Sequence, residues 1–446
     1  MNRTDTCLDS AKKVLKENDK GTFTIPAAGL YPHQWLWDSC FIAIGLRHID
    51  IDRAQTELRS LVRGQWGNGM LPHMIFDSGV RYAQDRKFWN SQLSPFAPDD
   101  VATSGITQPP VLAEAVLQIG QKLSKAERRS WYQTMYPSLV AYHEWLYAER
   151  DPHGTGFVLQ LHPYETGLDS TPPWVEQLHR HHRPWWASVL EQPRLINAIN
   201  LFRRDTRRVP PGQRMDNLTA LLYYNMLRKL RAKHYDIRKI LKRYPYAIQD
   251  VTFNSVFIRA NECLQEIAAF IKVPLPEELD ERISHSRQVF EQLWDAYSGQ
   301  YYSRNSSTNK PIRQPSIATL MPLYAGHVTK ERAGQLVELL HKQDAFGTNY
   351  PVPSVPVSSS YFDPLRYWQG PAWLNTNWMI VQGLVRYGFK KEAEIIRLKS
   401  IALVAEHGCY EYFSPIDGTP AGAEDFSWTA ALAIDLVKNP VKSANL

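Results

Sequence analysis

A repeated alternation of helix-forming runs with aromatic loops is the feature that most constrains the fold of this chain. Apolar residues recur at helical spacing in successive runs, at about residues 6–18, 52–66, 111–119, 125–150, 371–388, 392–406 and 426–437. Runs that alternate polar and apolar residues as strands do are scarce, and strand and helix do not alternate as in a doubly wound sheet. The sequence therefore predicts an all-α toroid of helical hairpins, with the loops at one end lining a central pocket.

Two segments interrupt this alternation within what we expect to be one catalytic domain over residues 1–446. Between Arg203 and Arg243 there are 13 Lys and Arg residues against three acids. The helix-forming pieces of this tract predict a cap at 203–246 inserted over the pocket; a solvated basic face is the alternative. Residues 348–363 are rich in proline and serine, which predicts an extended loop that acts either as a lid or as a passive surface connection.

Composition narrows the class of protein. The formal charge of +6 in 446 residues is too small to indicate a nucleic-acid binder by itself. The four cysteines are dispersed without a CxxC pair, so we expect free thiols in a reducing compartment. Residues 1–20 lack the apolar core of a signal peptide, and no run approaches the ~20 apolar residues that span a bilayer. These features favour a cytoplasmic enzyme. They do not fix its oligomeric state, so a homo-oligomer stays open.

The sequence carries none of the common cofactor and metal signatures. There is no Gly-rich phosphate loop, no dinucleotide fingerprint, no HExxH and no Gly-x-Ser-x-Gly elbow. His179, His181 and His182 form a cluster, but Arg180 and Arg183 crowd it with positive charge. We therefore expect neither a cofactor nor a metal.

Carboxyl groups among aromatic residues are the remaining candidates for chemistry. Asp169 lies in a segment where Gly167 frees the backbone and two following prolines stiffen it, so we expect a loop there. Asp38 and Glu424 likewise lie near tryptophans. Such acids are more often helix caps or ion-pair partners, but glycosidic cleavage needs one carboxylic acid to protonate the leaving oxygen and a second carboxylate to activate water or attack the sugar. We hypothesise that Asp169 is this proton donor and that Glu424 is its partner.

Six segments, in this order, carry a resemblance to one family. They are 31–39 (YPHQWLWDS), 68–73 (NGMLPH), 107–110 (TQPP), 165–170 (ETGLDS), 367–373 (YWQGPAW) and 424–432 (EDFSWTAAL). Over nearly its whole length the chain resembles the bacterial branch of glycoside hydrolase family 63, and within it the mannosylglycerate and glucosylglycerate hydrolases.

That resemblance implies an (α/α)6 barrel, a toroid of six helical hairpins, that hydrolyses α-glycosidic bonds with inversion and without an organic cofactor. It implies Asp169 as the general acid and Glu424 as the general base, with carboxyl groups ~6.5–9.5 Å apart. The positions that it places around the substrate are Tyr31, Trp35, Trp37, Asp38, His73, Gln108, Gly167, Arg204, Trp368, Gln369 and Trp373. Of these, Tyr31 and Arg204 match positions at the glycerate end, with Arg203 as the rival of Arg204. The family usually has Asp-Asn-Ser-Pro where this chain has Asp169-Ser170-Thr171-Pro172, so the resemblance does not carry over the sugar contact beside the acid.

The predicted substrate is a glycosyl-glycerate, either glucosylglycerate or mannosylglycerate. Arginine offers a planar fork for the glycerate carboxylate, and tryptophans around the acid would remove its hydration and keep it protonated near neutral pH. The alternatives are a neutral α-glucosidase acting on short oligosaccharides, trehalose or glucosylglycerol, a sugar 2-epimerase, and a nucleic-acid or membrane-surface binder that uses the basic tract. Glucose and mannose differ in one hydroxyl orientation, which the sequence does not decide.

Overall fold

Helices dominate the structure, a computed structural model that describes residues 3–79, 82–181, 184, 187 and 203–441. In chain order, the α-helices of these residues are α1 (Arg3–Glu17), α2 (Leu36–Leu46), α3 (Ile51–Val62), α4 (Ala83–Trp89), α5 (Leu112–Gly120), α6 (Lys125–Arg150), α7 (Pro163–Thr166), α8 (Pro172–Glu176), α9 (Asn217–Ala232), α10 (Ile237–Leu241), α11 (Val251–Ile271), α12 (Glu277–Val289), α13 (Pro322–Ala325), α14 (Lys330–His341), α15 (Leu374–Tyr387), α16 (Lys390–His407) and α17 (Ser427–Lys438). None of the helices in the described ranges is long and apolar enough to cross a membrane.

Six of these helices form a closed inner ring. Each of α2, α5, α11, α13, α15 and α17 packs against the next, and α17 returns to α2. Outside the ring, α1 packs on α17, α3 on α2, α6 on α5, α12 on α11 and α16 on α15. An inner ring wrapped by outer helices is an (α/α)6 barrel, so the all-α barrel predicted from the sequence is confirmed.

Burial explains why the inner helices assemble. Every residue of α2 is buried, as is most of α17, and a helix that is apolar on all sides needs neighbours on all sides. The two helices approach closely at Gly45, where an added Cβ would lie 2.5 Å from the Cα of Ala431. Only a glycine permits this approach of α2 to α17.

Side-chain caps define where several helices begin. Asp50, Asp216 and Asp250 accept hydrogen bonds from backbone N–H groups in the first turns of α3, α9 and α11. Ser124 and Glu127 form a capping box at the start of α6.

Strands in the described ranges are antiparallel pairs of two residues each. The pairs are Gln34–Trp35 with Met74–Ile75, Ile248–Gln249 with Arg304–Asn305, Trp294–Asp295 with Gln300–Tyr301, and Tyr412–Phe413 with Pro420–Ala421. Short 3-10 helices lie at Ser91–Leu93, Asp205–Arg207, Pro211–Gln213, Phe290–Leu293 and Ile317–Leu320, and a π-helical turn at Gln177–His181. The pair of Gln34–Trp35 with Met74–Ile75 and the pair of Tyr412–Phe413 with Pro420–Ala421 shape the loops that carry the candidate site.

The tract predicted as a cap, 203–246, contains α9 and α10. Tyr223, Tyr224 and Leu227 of α9 line a cavity at one end of the barrel. This tract therefore supplies part of the cavity wall, and its function as a cap stays a prediction.

The segment predicted as a lid, 348–363, is irregular, and its middle part is hydrogen-bonded to neighbouring parts of the chain. Residues 351–356 are buried. The Val352 N–H donates to the Oδ1 of Asn377 (2.8 Å), and the Ser354 N–H donates to the carbonyl of Pro371 (2.9 Å). These bonds tie the middle of the segment to α15 and to the loop before it, and a lid function of 348–363 stays a prediction.

Candidate functional site

A cavity of about 550 Å³ lies at one end of the barrel, next to the tract predicted as a cap. Loops that are remote in sequence supply its walls, and α9 supplies part of its roof. Its polar lining includes Tyr31, His73, Tyr164, Asp169, Arg214 and Tyr367. Of the predicted site residues, Tyr31, Trp35, His73, Asp169 and Arg204 line it directly.

Asp169 is carried into the cavity by the turn that ends α7. Gly167 caps α7 with φ +70°, and an added Cβ would lie 2.4 Å from the ring of Trp37, so both its conformation and the available space require glycine. The backbone carbonyl of Asp169 accepts a hydrogen bond from the Tyr223 hydroxyl of the cap (2.9 Å). Its carboxyl Oδ2 accepts one from the Tyr367 hydroxyl (3.1 Å). The acid is thus held from both sides while it faces the cavity.

The surroundings of Asp169 favour its protonated form. Burial raises its pKa from 3.8 to about 7, against the lowering effects of the Tyr367 hydrogen bond and the Arg214 charge, and the negative charge of Glu411 adds to the rise. A carboxylic acid that still carries its proton near neutral pH can donate it to a leaving group.

A second carboxyl group, that of Glu411, belongs to the same site. It is 1% exposed and follows α16 at the start of the hairpin formed by Tyr412–Phe413 and Pro420–Ala421. It accepts hydrogen bonds from the Tyr31 hydroxyl (2.8 Å), from Nη1 of Arg214 (3.0 and 3.1 Å) and from the backbone N–H of Ala423 (2.9 Å). Glu411 is the acceptor in every one of these contacts, as an ionised carboxylate is.

Arg214 joins the two acids through one chain of contacts. Its guanidinium forms an ion pair with Glu411, and Nη2 donates to the Tyr31 hydroxyl (2.5 Å). The same guanidinium lies over the ring of Tyr367, 4.1 Å from its centroid, and Tyr367 in turn bonds Asp169. A buried positive charge therefore lies beside Glu411, whereas among the described residues the hydrogen-bond donor to the Asp169 carboxyl is the neutral Tyr367 hydroxyl.

Asp38 is a third acid close to this pair. It is 3% exposed, and its pKa is raised well above its ordinary value, first by burial and then by the charges of Glu411, Asp169 and Glu57. Burial and the neighbouring acids both disfavour the ionised form of this carboxyl group.

His73 and Trp35 present polar ring atoms that have no protein partner among the described residues. Nδ1 of His73 contacts the Ser104 hydroxyl (3.1 Å), but its Nε2 has no hydrogen-bond partner in the described ranges, and neither has Nε1 of Trp35. Burial lowers the pKa of His73 well below its ordinary value, so its ring is neutral. Buried polar atoms without partners at a cavity wall are suited to meet sugar hydroxyls.

Three predicted tryptophans lie behind the residues that line the cavity. Trp368 and Trp373 stack with centroids 3.8 Å apart, and Trp37 packs edge-on against Trp428 at 5.3 Å. Each of the three is at most 2% exposed. These rings support the site from behind and exclude water from it.

The two predicted glutamines hold backbone segments in place. Gln369 donates to the carbonyl of Ser170 (2.9 Å), directly after the acid. Gln108 makes a longer contact of 3.5 Å with the N–H of Trp37.

Arg204 lies at the mouth, with its side chain 49% exposed. Both of its terminal nitrogens donate to the carboxylate of Asp85, at 3.0 and 3.2 Å. The rival candidate, Arg203, binds Asp205 and the carbonyl of Met215 instead. Of the two, only Arg204 has a half-exposed fork that a substrate carboxylate could reach.

The structure contradicts the predicted position of Glu424. This side chain is exposed, does not line the cavity and accepts a hydrogen bond from the Tyr410 hydroxyl (3.0 Å). The hairpin is the physical reason, because it brings the backbone of Ala423 to the Glu411 carboxylate and leaves the next side chain pointing outward. The prediction that Glu424 faces Asp169 across the cavity is therefore wrong.

Sequence reasoning missed Glu411 and Arg214. Glu411 lies in Tyr410-Glu411-Tyr412-Phe413, ahead of a Ser-Pro-Ile-Asp-Gly turn, and an acid between aromatics beside a hairpin turn is the signal that could have found it. Arg214 follows Pro-Gly-Gln in the basic tract, and nothing separates it there from the other arginines.

The described residues contain no group of three or more His, Cys, Asp and Glu side chains that could hold a metal ion. His179 contacts the Thr219 hydroxyl (3.0 Å), whereas His182 of the predicted cluster lies outside the described residues.

Comparisons with known proteins find relatives that match nearly the whole chain. A family model described as "Mannosylglycerate hydrolase MGH1-like glycoside hydrolase domain" matches residues 31–429. The mannosylglycerate hydrolase of Thermus thermophilus is 38% identical over 429 residues, which cover 95% of this chain and 99% of that protein. The glucosylglycerate hydrolase of Mycolicibacterium hassiacum is 30% identical, with 95% and 96% covered. The crystal structure of a GH63 mannosylglycerate hydrolase from Thermus thermophilus in complex with Tris and D-glycerate is similar at a TM-score of 0.85 and 36% identity, covering 96% of this chain and 99% of that one.

Proposed function

The chain belongs to the mannosylglycerate hydrolase MGH1-like family of glycoside hydrolases, and we propose that Asp169 and Glu411 are the general acid and the general base with which it cleaves a glycosyl-glycerate. It is a glycoside hydrolase of family 63, and its substrates are glycosyl-glycerates such as mannosylglycerate and glucosylglycerate. The products are the free sugar and glycerate.

The observation that carries the assignment of roles is the contrast between Asp169, which lines the cavity, and Glu411, which is buried behind the lining residues Tyr31 and Arg214. The pKa of Asp169 is raised to about 7, so this acid can protonate the glycosidic oxygen as the bond breaks. Glu411 accepts hydrogen bonds from Arg214 and Tyr31, which suits a carboxylate that takes a proton from water. Attack by that water on the opposite face of the sugar inverts the anomeric carbon.

Other residues of the cavity divide into sugar and glycerate contacts. Trp35 and His73 are suited to the sugar, because each combines an aromatic face with a polar atom that has no partner among the described residues. Asp38, which is buried near Asp169 and lies close to Trp35 in sequence, is the further sugar contact that we propose. We assign the glycerate end to the mouth, where Arg204 would exchange its Asp85 partner for the substrate carboxylate.

An assay of the purified protein against mannosylglycerate, glucosylglycerate and glucosylglycerol tests the substrate class. We expect turnover of at least one glycerate and at least a tenfold lower kcat/KM for glucosylglycerol, which lacks the carboxylate. Proton NMR of the first product formed from an α-linked substrate should show the β-anomer of the sugar. Faster cleavage of glucosylglycerol, or release of the α-anomer first, would contradict the proposal.

We also propose that the enzyme works in a reducing compartment, the cytoplasm. All four cysteines are buried free thiols, which is the state that such a compartment maintains. Small molecules are its substrates, and a nucleic-acid partner is not required by any feature of the site.

A further inference from the structure

A second cavity, of about 570 Å³, lies beside the catalytic one where the C-terminal end of α6 meets α10. It shares no lining residue with the catalytic cavity. Its lining includes Trp66, Asn68, Phe96, Arg150, Tyr235 and Arg238. The mechanism proposed above uses none of these side chains, and the family resemblance, although Asn68 begins one of its segments, assigns none of them a contact with the substrate.

Arg150 is the most unusual member of this lining. It is 4% exposed, and its Nη2 donates to the Glu165 carboxylate at 2.7 Å. Its Nη1 has only a long contact of 3.5 Å to the carbonyl of Glu149, and its buried Nε has no hydrogen-bond partner among the described residues. A buried guanidinium N–H without an acceptor costs free energy that a bound oxygen atom would recover.

The rest of the lining is rich in hydrogen-bond donors. Asn68 and Ser94 add short polar side chains, and Arg238 and Lys239 lie exposed at the rim. Arginine and hydroxyl donors around one small space match a carboxylate that carries hydroxyl groups.

Two acids are also present in this lining. Asp236 is already engaged, because it caps α10 and pairs with Lys239 at 3.0 Å. Burial raises the pKa of the other acid, Glu149. As the pH falls, this carboxyl group therefore loses its charge sooner and repels a bound anion less.

Two contacts connect this cavity to the catalytic one. Glu165, the partner of Arg150, also accepts the N–H of Leu161 (2.6 Å) and lies in α7, directly before the turn that carries Asp169. Tyr235 donates its hydroxyl to the carbonyl of Trp89, whose side chain lines the catalytic cavity. A ligand that binds Arg150 would therefore contact the side chain that holds Glu165, and Glu165 lies directly before the turn that carries Asp169.

We propose that this second cavity binds a small hydroxylated carboxylate, of the size of glycerate or a sugar acid, through Arg150 and Arg238. The site is separate from the catalytic cavity, and its occupation does not depend on the proposed catalytic roles.

Isothermal titration calorimetry with D-glycerate and with gluconate tests the proposal. Arg238→Glu reverses a charge at the rim without disturbing any buried contact, and Arg243→Glu is its matched control, because Arg243 is exposed in the same basic tract but lines neither cavity. Asn68→Trp would fill the cavity itself. Thermal melting of each variant establishes that it is folded.

We expect Arg238→Glu to weaken binding of at least one probe tenfold or more, Asn68→Trp to abolish the same binding, and Arg243→Glu to change it less than twofold. Arg204→Ala distinguishes the two cavities, because it removes only binding at the catalytic mouth. Equal effects of Arg238→Glu and Arg243→Glu, or loss of all binding in Arg204→Ala, would overturn the proposal. An unchanged affinity in Arg204→Ala would instead support the second cavity as the binding site and count against the glycerate assignment made under the proposed function.

Discussion

Asp169 lines the cavity and Glu411 lies buried behind the lining residues Tyr31 and Arg214, and each carboxyl group has surroundings suited to a different task. Asp169 has a tyrosine hydroxyl as its hydrogen-bond partner and has lost most of its hydration, so its proton is retained. Glu411 has the guanidinium of Arg214 beside it, so its charge is compensated. A carboxylic acid that keeps its proton beside a cavity is suited to the acid role, and a charge-compensated carboxylate to the base role.

Removing either group is expected to stop turnover. Asp169→Asn and Glu411→Gln keep the shape of each side chain, and general acid–base assistance typically contributes about 10² to 10⁴ in rate. We therefore expect kcat to fall by at least about 10²-fold in each variant. Glu424→Gln is the matched control and should stay within about twofold of wild type, because this side chain is exposed outside the cavity. Steady-state kinetics on a glycosyl-glycerate measures all three, and a large loss in Glu424→Gln would reverse the assignment.

The pH dependence of turnover should report the protonation of Asp169. The general acid must carry its proton, and its pKa is about 7, so kcat should fall as the pH rises through about 7 and approach a tenfold loss per pH unit above it. Profiles of kcat from about pH 5 to about pH 9 test this. A rate that is flat to pH 9 would exclude Asp169 as the acid.

The candidate site could be read from the sequence only where a local pattern fixes the position of a side chain. Asp169 was identified because a glycine before it and prolines after it define its loop. Glu411 was missed because its direction depends on the pairing of Tyr412–Phe413 with Pro420–Ala421, which brings Ala423 against its carboxylate. Arg214 was missed because its partners are remote in the chain.

At the scale of elements, helical periodicity predicted the fold well and the ends of helices less well. The predicted run at 125–150 coincides with α6, whose capping box is local. The run predicted from Pro371 begins instead at Leu374. The reason is that the backbone N–H and the carbonyl of Ala372 are both hydrogen-bonded to the backbone of Phe413. The inner segment α13 has only four residues, too few for a periodic signal. Contacts between remote parts of the chain decide where α15 begins and hold the short helix α13 in place. They also bury residues 351–356 of the segment predicted as a lid.

Close approach of α2 and α17 gives a prediction at this scale. Gly45→Ala would place a Cβ 2.5 Å from the backbone of Ala431, so one inner helix must move, at a cost of about 1–3 kcal/mol in the free energy of unfolding. Gly334→Ala in the outer helix α14 is the matched control, because an added Cβ there has nothing within 4 Å. It should instead stabilise the protein by roughly 0.5–1 kcal/mol. Urea unfolding of both variants measures the difference, and destabilisation by both would argue against a specific contact at Gly45.

At the scale of the whole molecule, the barrel collects loops from distant parts of the chain and keeps an acid in a partly dehydrated cavity. This arrangement lowers the free energy of unfolding whenever Asp169 is ionised, because the charged carboxylate has lost hydration. The pKa of Asp169 is about 7 in the folded protein and 3.8 in its ordinary state. Between these two values the folded protein binds the proton more tightly than the unfolded chain does, so the stability contributed by this residue falls as the pH rises, and it stays low above about pH 7.

Asp169→Asn removes this penalty and should therefore stabilise the protein more at alkaline pH than at acidic pH. One pKa unit corresponds to about 1.4 kcal/mol, so the advantage of the variant should grow by on the order of 1–3 kcal/mol between about pH 5 and about pH 8. Thermal melts of wild type and variant at both pH values measure this as a difference in Tm that widens with pH. Glu424→Gln serves as the control and should show no such trend, because its carboxyl group is exposed. A Tm difference for Asp169→Asn that is the same at both pH values would mean that the acid is not held protonated by its burial.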